Sequence, residues 1–152
     1  MQRLEFLNTK EVKEIKKKIL GQWGCGFETE MAFILTNKNR IFLVSRDIEK
    51  IDFEKLPISS AGVYFGEILD NGELRLSIEG SQMIGKCAGK NVLDVSKEKA
   101  RSWLKGNDIE IETREKGFVI LKYEDDFLGT GKVKEGKVLN FVPKTRRILA
   151  ED

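Results

Sequence analysis

Ser96-Lys97-Glu98-Lys99-Ala100-Arg101-Ser102-Trp103-Leu104-Lys105-Gly106-Asn107-Asp108-Ile109 is the stretch on which the fold turns. A serine hydroxyl at Ser96 can accept a backbone N–H and open a helix. Ala100, Trp103 and Leu104 then share one face, and Gly106 supplies the stop. Downstream the pattern becomes all-β. Strands are expected over Asp108 to Glu112, Gly117 to Tyr123, Phe127 to Val133, Lys137 to Val142 and Arg146 to Leu149. Gly117, Asp125-Asp126 and Glu135-Gly136 mark the turns. In Phe118-Val119-Ile120-Leu121 both faces are apolar, which suits a strand buried in a small barrel. Upstream, Val92-Leu93-Asp94-Val95 reads as one more strand. One helix and short strands with tight turns make a compact, barrel-like domain.

The small, polar stretch Gly85-Lys86-Cys87-Ala88-Gly89-Lys90 sets a boundary, with domains over 1–86 and 90–152. The first opens on a helix capped at Asn8 or Thr9, with Glu11 placed as in a capping box. Val12, Ile15 and Ile19 form its apolar stripe, Gly21 stops it, and Lys13, Lys16, Lys17 and Lys18 make a solvated face. A hairpin follows, with strands Met31–Thr36 and Ile41–Ser45 about Asn37-Lys38-Asn39-Arg40. Asp47 to Lys55 reads as a short helix closed by Pro57. The Asn71-Gly72 pair joins Val63–Ile68 to the alternating run Glu73–Ile78. The fold class is α+β, a mixed α/β unit followed by a pseudo-β-barrel.

The 152 residues carry 27 Lys and Arg, 25 Asp and Glu, and no histidine. Without imidazole there is no Ser-His-Asp or Cys-His catalysis and no His-ligated metal. Cys25 and Cys87 form no C-x-x-C motif and make no structural zinc site. Two buried thiols in a reducing cytosol are the favoured reading, and a disulfide between them stays open. No apolar run reaches the roughly 20 residues of a membrane span, and the N-terminus has no signal-peptide pattern. The chain is expected to be cytoplasmic, with a thermophile-like composition rich in Lys and Glu.

Gly21-Gln22-Trp23-Gly24-Cys25-Gly26 follows a helix, whereas a dinucleotide loop follows a strand. Gly129-Thr130-Gly131-Lys132 lacks the first glycine and the Ser or Thr of a phosphate loop, so both read as loop or bulge glycines. Glu124-Asp125-Asp126 reads as a hairpin turn rather than a cation site. No catalytic residues, metal ligands or cofactor are expected.

Charge distribution says more than net charge. Through Lys86 there are 13 cations and 13 acids. From Gly129 to Leu149, Lys132, Lys134, Lys137, Lys144, Arg146 and Arg147 face a single acid, Glu135. Such segregation is the electrostatic footprint of a nucleic-acid binder. Alternation along a terminal strand would split Arg146 and Arg147 between opposite faces, one toward RNA and one bracing the barrel. Phe118, Tyr123, Phe127 and Phe141 occupy apolar strand positions and read as core.

The series Trp103-Leu104-Lys105-Gly106-Asn107-Asp108-Ile109, Gly117-Phe118-Val119-Ile120-Leu121, Phe127-Leu128-Gly129-Thr130-Gly131 and Phe141-Val142-Pro143-Lys144-Thr145-Arg146-Arg147 resembles a PUA domain, a small RNA-binding pseudo-barrel. Gly62-Val63-Tyr64-Phe65-Gly66 followed by Leu74-Arg75-Leu76 resembles the pre-PUA portion of Nip-type ribosome biogenesis factors. Asn140-Phe141-Val142-Pro143-Lys144 is closer to the last segment of RNA 5-methylcytosine methyltransferases. The resemblance implies RNA binding without catalysis, in ribosome biogenesis or in rRNA or tRNA processing. It places RNA against Lys105, Gly106 and Asn107 on one side and Lys144, Arg146 and Arg147 on the other. The basic segment adds Lys132 and Lys134. Lys and Arg would hold phosphates while Gly106 lets the strand approach the backbone, and the RNA would be single-stranded or looped. Two alternatives stand beside this: an adaptor docking onto an RNA-processing or pre-ribosomal complex, and a free-standing relative of a methyltransferase PUA tail.

Overall fold

The computed structural model describes residues 4–46 and 62–148. The short helix expected between Asp47 and Lys55 lies outside them. The first sheet is an antiparallel meander ordered β1 (Leu4–Phe6), β2 (Ala32–Thr36), β3 (Arg40–Val44), β4 (Gly62–Ile68) and β5 (Leu74–Leu76). Helix α1 (Thr9–Trp23) packs against it through Ile15, Ile19 and Trp23. Its capping box is complete: the Asn8 carboxamide accepts from Glu11 N at 2.9 Å, and the Glu11 carboxylate accepts from Asn8 N at 3.1 Å. The helix runs past Gly21 because Trp23 continues the stripe of Ile15 and Ile19, and Gly24 closes it in the left-handed conformation.

The run Glu73–Ile78 is not one strand. β5 ends at Leu76, and helix α2 (Ile78–Gly85) begins. Ser77 makes the switch, its hydroxyl accepting from Gly80 N at 2.9 Å and donating to Phe65 O at 3.1 Å. The alternation Leu74, Leu76, Ile78 survives because Ile78 packs against the second core.

The second sheet is ordered β6 (Val92–Asp94), β8 (Phe118–Tyr123), β9 (Asp126–Lys134), β10 (Lys137–Asn140) and β7 (Ile109–Glu110). β6 and β8 are parallel, the other pairs antiparallel. The sheet curls into a half-barrel around helix α3 (Lys97–Leu104). Trp103 is fully buried, donates its indole N–H to Leu128 O at 2.8 Å, and rests on β9 at Gly131. A Cβ at Gly131 would stand 2.5 Å from the indole. The Gly129-Thr130-Gly131-Lys132 segment is thus strand with an adjoining irregularity in the β8–β9 ladder.

β8 explains its own doubly apolar sequence. Phe118 and Ile120 enter the core that Ile15, Ile19 and Trp23 build with the first sheet. Val119 and Leu121 enter the core around Trp103. The strand is apolar on both faces because it divides two cores, so the halves of the chain pack as one body.

Further expectations change. Cys25 and Cys87 are joined by a disulfide, with Cα atoms 5.2 Å apart. The exit of α1 lies along the exit of α2, where Gly89 N donates to Trp23 O at 2.8 Å. A sequence separation of 62 residues conceals that adjacency. Nor is there a terminal strand at Arg146: Lys144–Arg146 forms a 3-10 turn. Pro143, which brings no N–H to a ladder, follows a strand already ended at Asn140. The strand expected over Asp108 to Glu112 shortens to Ile109–Glu110.

Candidate nucleic-acid interface

Ser96 caps α3 by accepting from Lys99 N at 3.2 Å. At the other end the chain turns through Lys105, and Gly106 adopts φ +99°, a conformation that side-chain-bearing residues rarely take. The space above Gly106 is not open. The Arg147 guanidinium lies across it, and a Cβ there would stand 2.4 Å from Nε. That Nε donates to Val142 O at 3.0 Å, and Ile148 N donates to Leu104 O at 2.9 Å. Gly106 therefore admits an arginine of its own chain, and its N–H is already given to Trp103 O. Arg147 is a brace set by the turn after Pro143, not by strand alternation.

Asn140 locks the same corner. Its carboxamide donates to Trp103 O at 2.7 Å and to Asn107 O at 2.8 Å, and accepts from Val142 N at 2.7 Å. Asn107 is exposed and Lys105 half-buried. Lys134 and Lys144 are exposed and, among the described residues, have no carboxylate partner. Lys105, Gly106, Asn107 and Arg147 are thus brought together.

Lys132 and Arg146 belong elsewhere. Lys132 lies 5.5 Å from the centre of the Phe118 ring and 4.0 Å from Glu73. Phe118 is 6.0 Å from Phe141, and Arg75 sits over the Phe141 ring at 4.6 Å. The four side chains form a row of cation, ring, ring, cation. Phe141 is 38% exposed, which removes it from the core where its sequence context placed it.

The row borders a cleft of about 300 Å3 lined also by Arg40, Tyr64 and Arg146. Glu67 serves two guanidiniums, at 3.6 Å from Arg40 and 3.4 Å from Arg75. Glu79, in the first turn of α2, pairs with Arg146. Burial, and next the Glu67 carboxylate, push the Tyr64 phenol above its ordinary pKa, while Arg40 and Arg75 pull it back. Sequence reasoning missed this site because its cations come from β3, β5 and the final turn. One local signal existed: between Leu74 and Leu76, Arg75 must leave the core face of its strand.

Comparison with known proteins follows the same division of the chain. The family model described as NIP7/UPF0113, pre-PUA domain matches residues 5–78. That described as Methyltransferase RsmF PUA domain matches residues 90–148. The chain is a Nip-type pre-PUA unit followed by a PUA domain.

Among curated proteins, the ribosomal RNA small subunit methyltransferases F of Vibrio vulnificus strains YJ016 and CMCP6 are each 28% identical over 106 residues. The alignment takes in 70% of this chain but 22% of those relatives, so the chain spans about a fifth of their length. Arg40, Tyr64 and Arg75 of the cleft lie in the pre-PUA unit, and Phe141 and Arg146 in the PUA domain. Among the described residues no group of acidic or thiol side chains is arranged to hold a metal ion, and no helix is long and apolar enough to cross a membrane.

Proposed function

We propose that the chain is a cytoplasmic, non-catalytic RNA-binding factor of ribosome biogenesis or of rRNA or tRNA processing. The observation that carries this reading is the order of its two units, pre-PUA then PUA. The PUA domain over 90–152 holds single-stranded or looped RNA, and the unit over 1–86 meets RNA or a pre-ribosomal partner. Lys105, Asn107, Lys134 and Lys144 form the outer contact surface. Arg147 and Gly106 hold that surface in shape, while Lys132 and Arg146 join it to the cleft.

The lysines of that surface give the test its form. Each phosphate contact on a single strand contributes about 0.7 to the slope of log affinity against log salt. Replacing Lys105, Lys134 and Lys144 together by Ala is expected to weaken binding and flatten that slope by about 2. Titration of labelled single-stranded RNA at several salt concentrations measures both. An unchanged affinity and slope would remove these residues from the site.

A second reading, a free-standing relative of a methyltransferase PUA tail, is supported by the RsmF description of the matching domain. Crosslinking to RNA in cells separates the two. Small-subunit rRNA alone favours the second, and a wider set of precursors the first.

A further inference from the structure

We propose that the cleft between the pre-PUA unit and the PUA domain is a nucleotide pocket, taking one unstacked base and its phosphate from the bound strand. The inference rests on the reading that the partner is RNA, but it concerns a site apart from the lysine surface.

The clustering of rings and a guanidinium is the first support. The Phe118 and Phe141 rings lie 6.0 Å apart with a tilt of 51°, Arg75 sits over Phe141 at 4.6 Å, and the Phe141 ring is left 38% exposed. RNA-binding proteins hold splayed-out bases on such surfaces, aromatic rings and guanidinium planes alike. A base entering the cleft would meet Phe141 and Arg75 at its wall.

Charge is the second. Among the described residues, Arg40, Arg75 and Arg146 line the cleft against two carboxylates, Glu67 and Glu79. Since Glu67 is shared by Arg40 and Arg75, one guanidinium charge is left over for an anion. Guanidinium groups match phosphate oxygens in a planar, two-pronged way that ammonium groups do not.

Size and rigidity complete the argument. About 300 Å3 is at the lower end for small-ligand sites, which suits one nucleotide rather than a helix. The lining is held from behind. Val142 N is tied to the Asn140 carboxamide beside Phe141, Arg146 rises from the 3-10 turn, and Thr130 beneath donates its hydroxyl to Leu76 O at 2.9 Å. A pocket already in shape loses little freedom when it binds.

The experiment uses the full chain and a short oligouridine strand in which one abasic position is walked along the length. On the native protein, one position is expected to cost roughly tenfold in affinity, the weight of one stacked base. On Phe141→Ala the all-base strand should bind as weakly as that abasic strand, and the walk should be flat. Arg75→Ala is the second variant, used if Phe141→Ala fails to melt cooperatively. On the native protein, the NMR signal of the Arg75 Nε–H should shift with the all-base strand and not with the sensitive abasic one. A flat walk on the native protein, with salt-dependent binding intact, overturns the pocket and leaves the RNA-binding reading standing. The same sensitive position in native and variant alike, or an Arg75 signal indifferent to the base, overturns it too. If no strand binds at all, both readings fall.

Discussion

The molecule has two cationic regions built on opposite plans. The proposed lysine surface belongs to the PUA domain alone, and its Lys134 and Lys144 are exposed and, among the described residues, pair with no carboxylate. The cleft draws Arg40, Arg75 and Arg146 from distant positions, sets them against carboxylates, and places one over an aromatic ring. Exposed ammonium groups attract any polyanion, and salt weakens that attraction. Guanidinium groups fixed beside rings select for shape and stacking. A run of charge in a sequence therefore marks a general attraction, while a cluster like that of the cleft is assembled only by the fold.

The largest effect is expected at Gly80. A Cβ there would stand 2.1 Å from Phe65 O, so α2 and β4 cannot keep their approach in Gly80→Ala. Overpacking of this kind costs about 3 kcal/mol, or roughly 2–4 °C of melting temperature per kcal/mol in a chain of this size. Because α2 carries Glu79 and Ser77 precedes it, base-dependent binding should suffer while the salt slope persists. Parallel loss of both, measured by calorimetry and salt titration, would mean that the two regions are not separable.

Arg75→Lys sharpens the contrast. The charge remains, but the flat group over Phe141 is gone. The stability cost should be about 0.5–1 kcal/mol, and affinity for single-stranded RNA should fall several-fold at an unchanged salt slope. A slope reduced by a full phosphate contact would show that Arg75 behaves like a lysine of the outer surface.

The smallest effect lies at alkaline pH. Burial raises the Tyr64 phenol above its ordinary value of 10.0, so the folded state keeps the proton that the unfolded chain releases first. The stability this provides is level below pH 10 and is lost as pH climbs from there through the folded value. Tyr64→Phe should therefore lose less stability than the native protein above pH 10, as read from denaturation midpoints. An identical decline in both would show that the phenol is solvated like a free tyrosine.

Local rules were legible, and contacts between distant segments were not. The Asn8–Glu11 box and the Ser96 cap follow from residues three apart, and each forms as read. β8 was recognisable because both of its faces are apolar, although what it divides is two cores rather than a barrel interior. Helix α2 escaped because the Leu74-Leu76-Ile78 alternation continues across the Ser77 cap. The last turn escaped because its geometry depends on Asn140 reaching Trp103 O and Asn107 O. Phe141 looked like core for the same reason: strand alternation was carried past the point where Asn140 ends the ladder. No linear pattern links positions 40, 75 and 146.

The Cys25–Cys87 bond has a topological consequence. The segment it encloses contains β2 to β5 and α2, which is the first sheet without its opening strand. A protease that cuts once anywhere inside that segment yields two polypeptides but a single covalent particle, since each fragment carries one of the bonded sulfurs. Such a nicked molecule would travel as intact on a non-reducing gel and come apart only when a reductant is added.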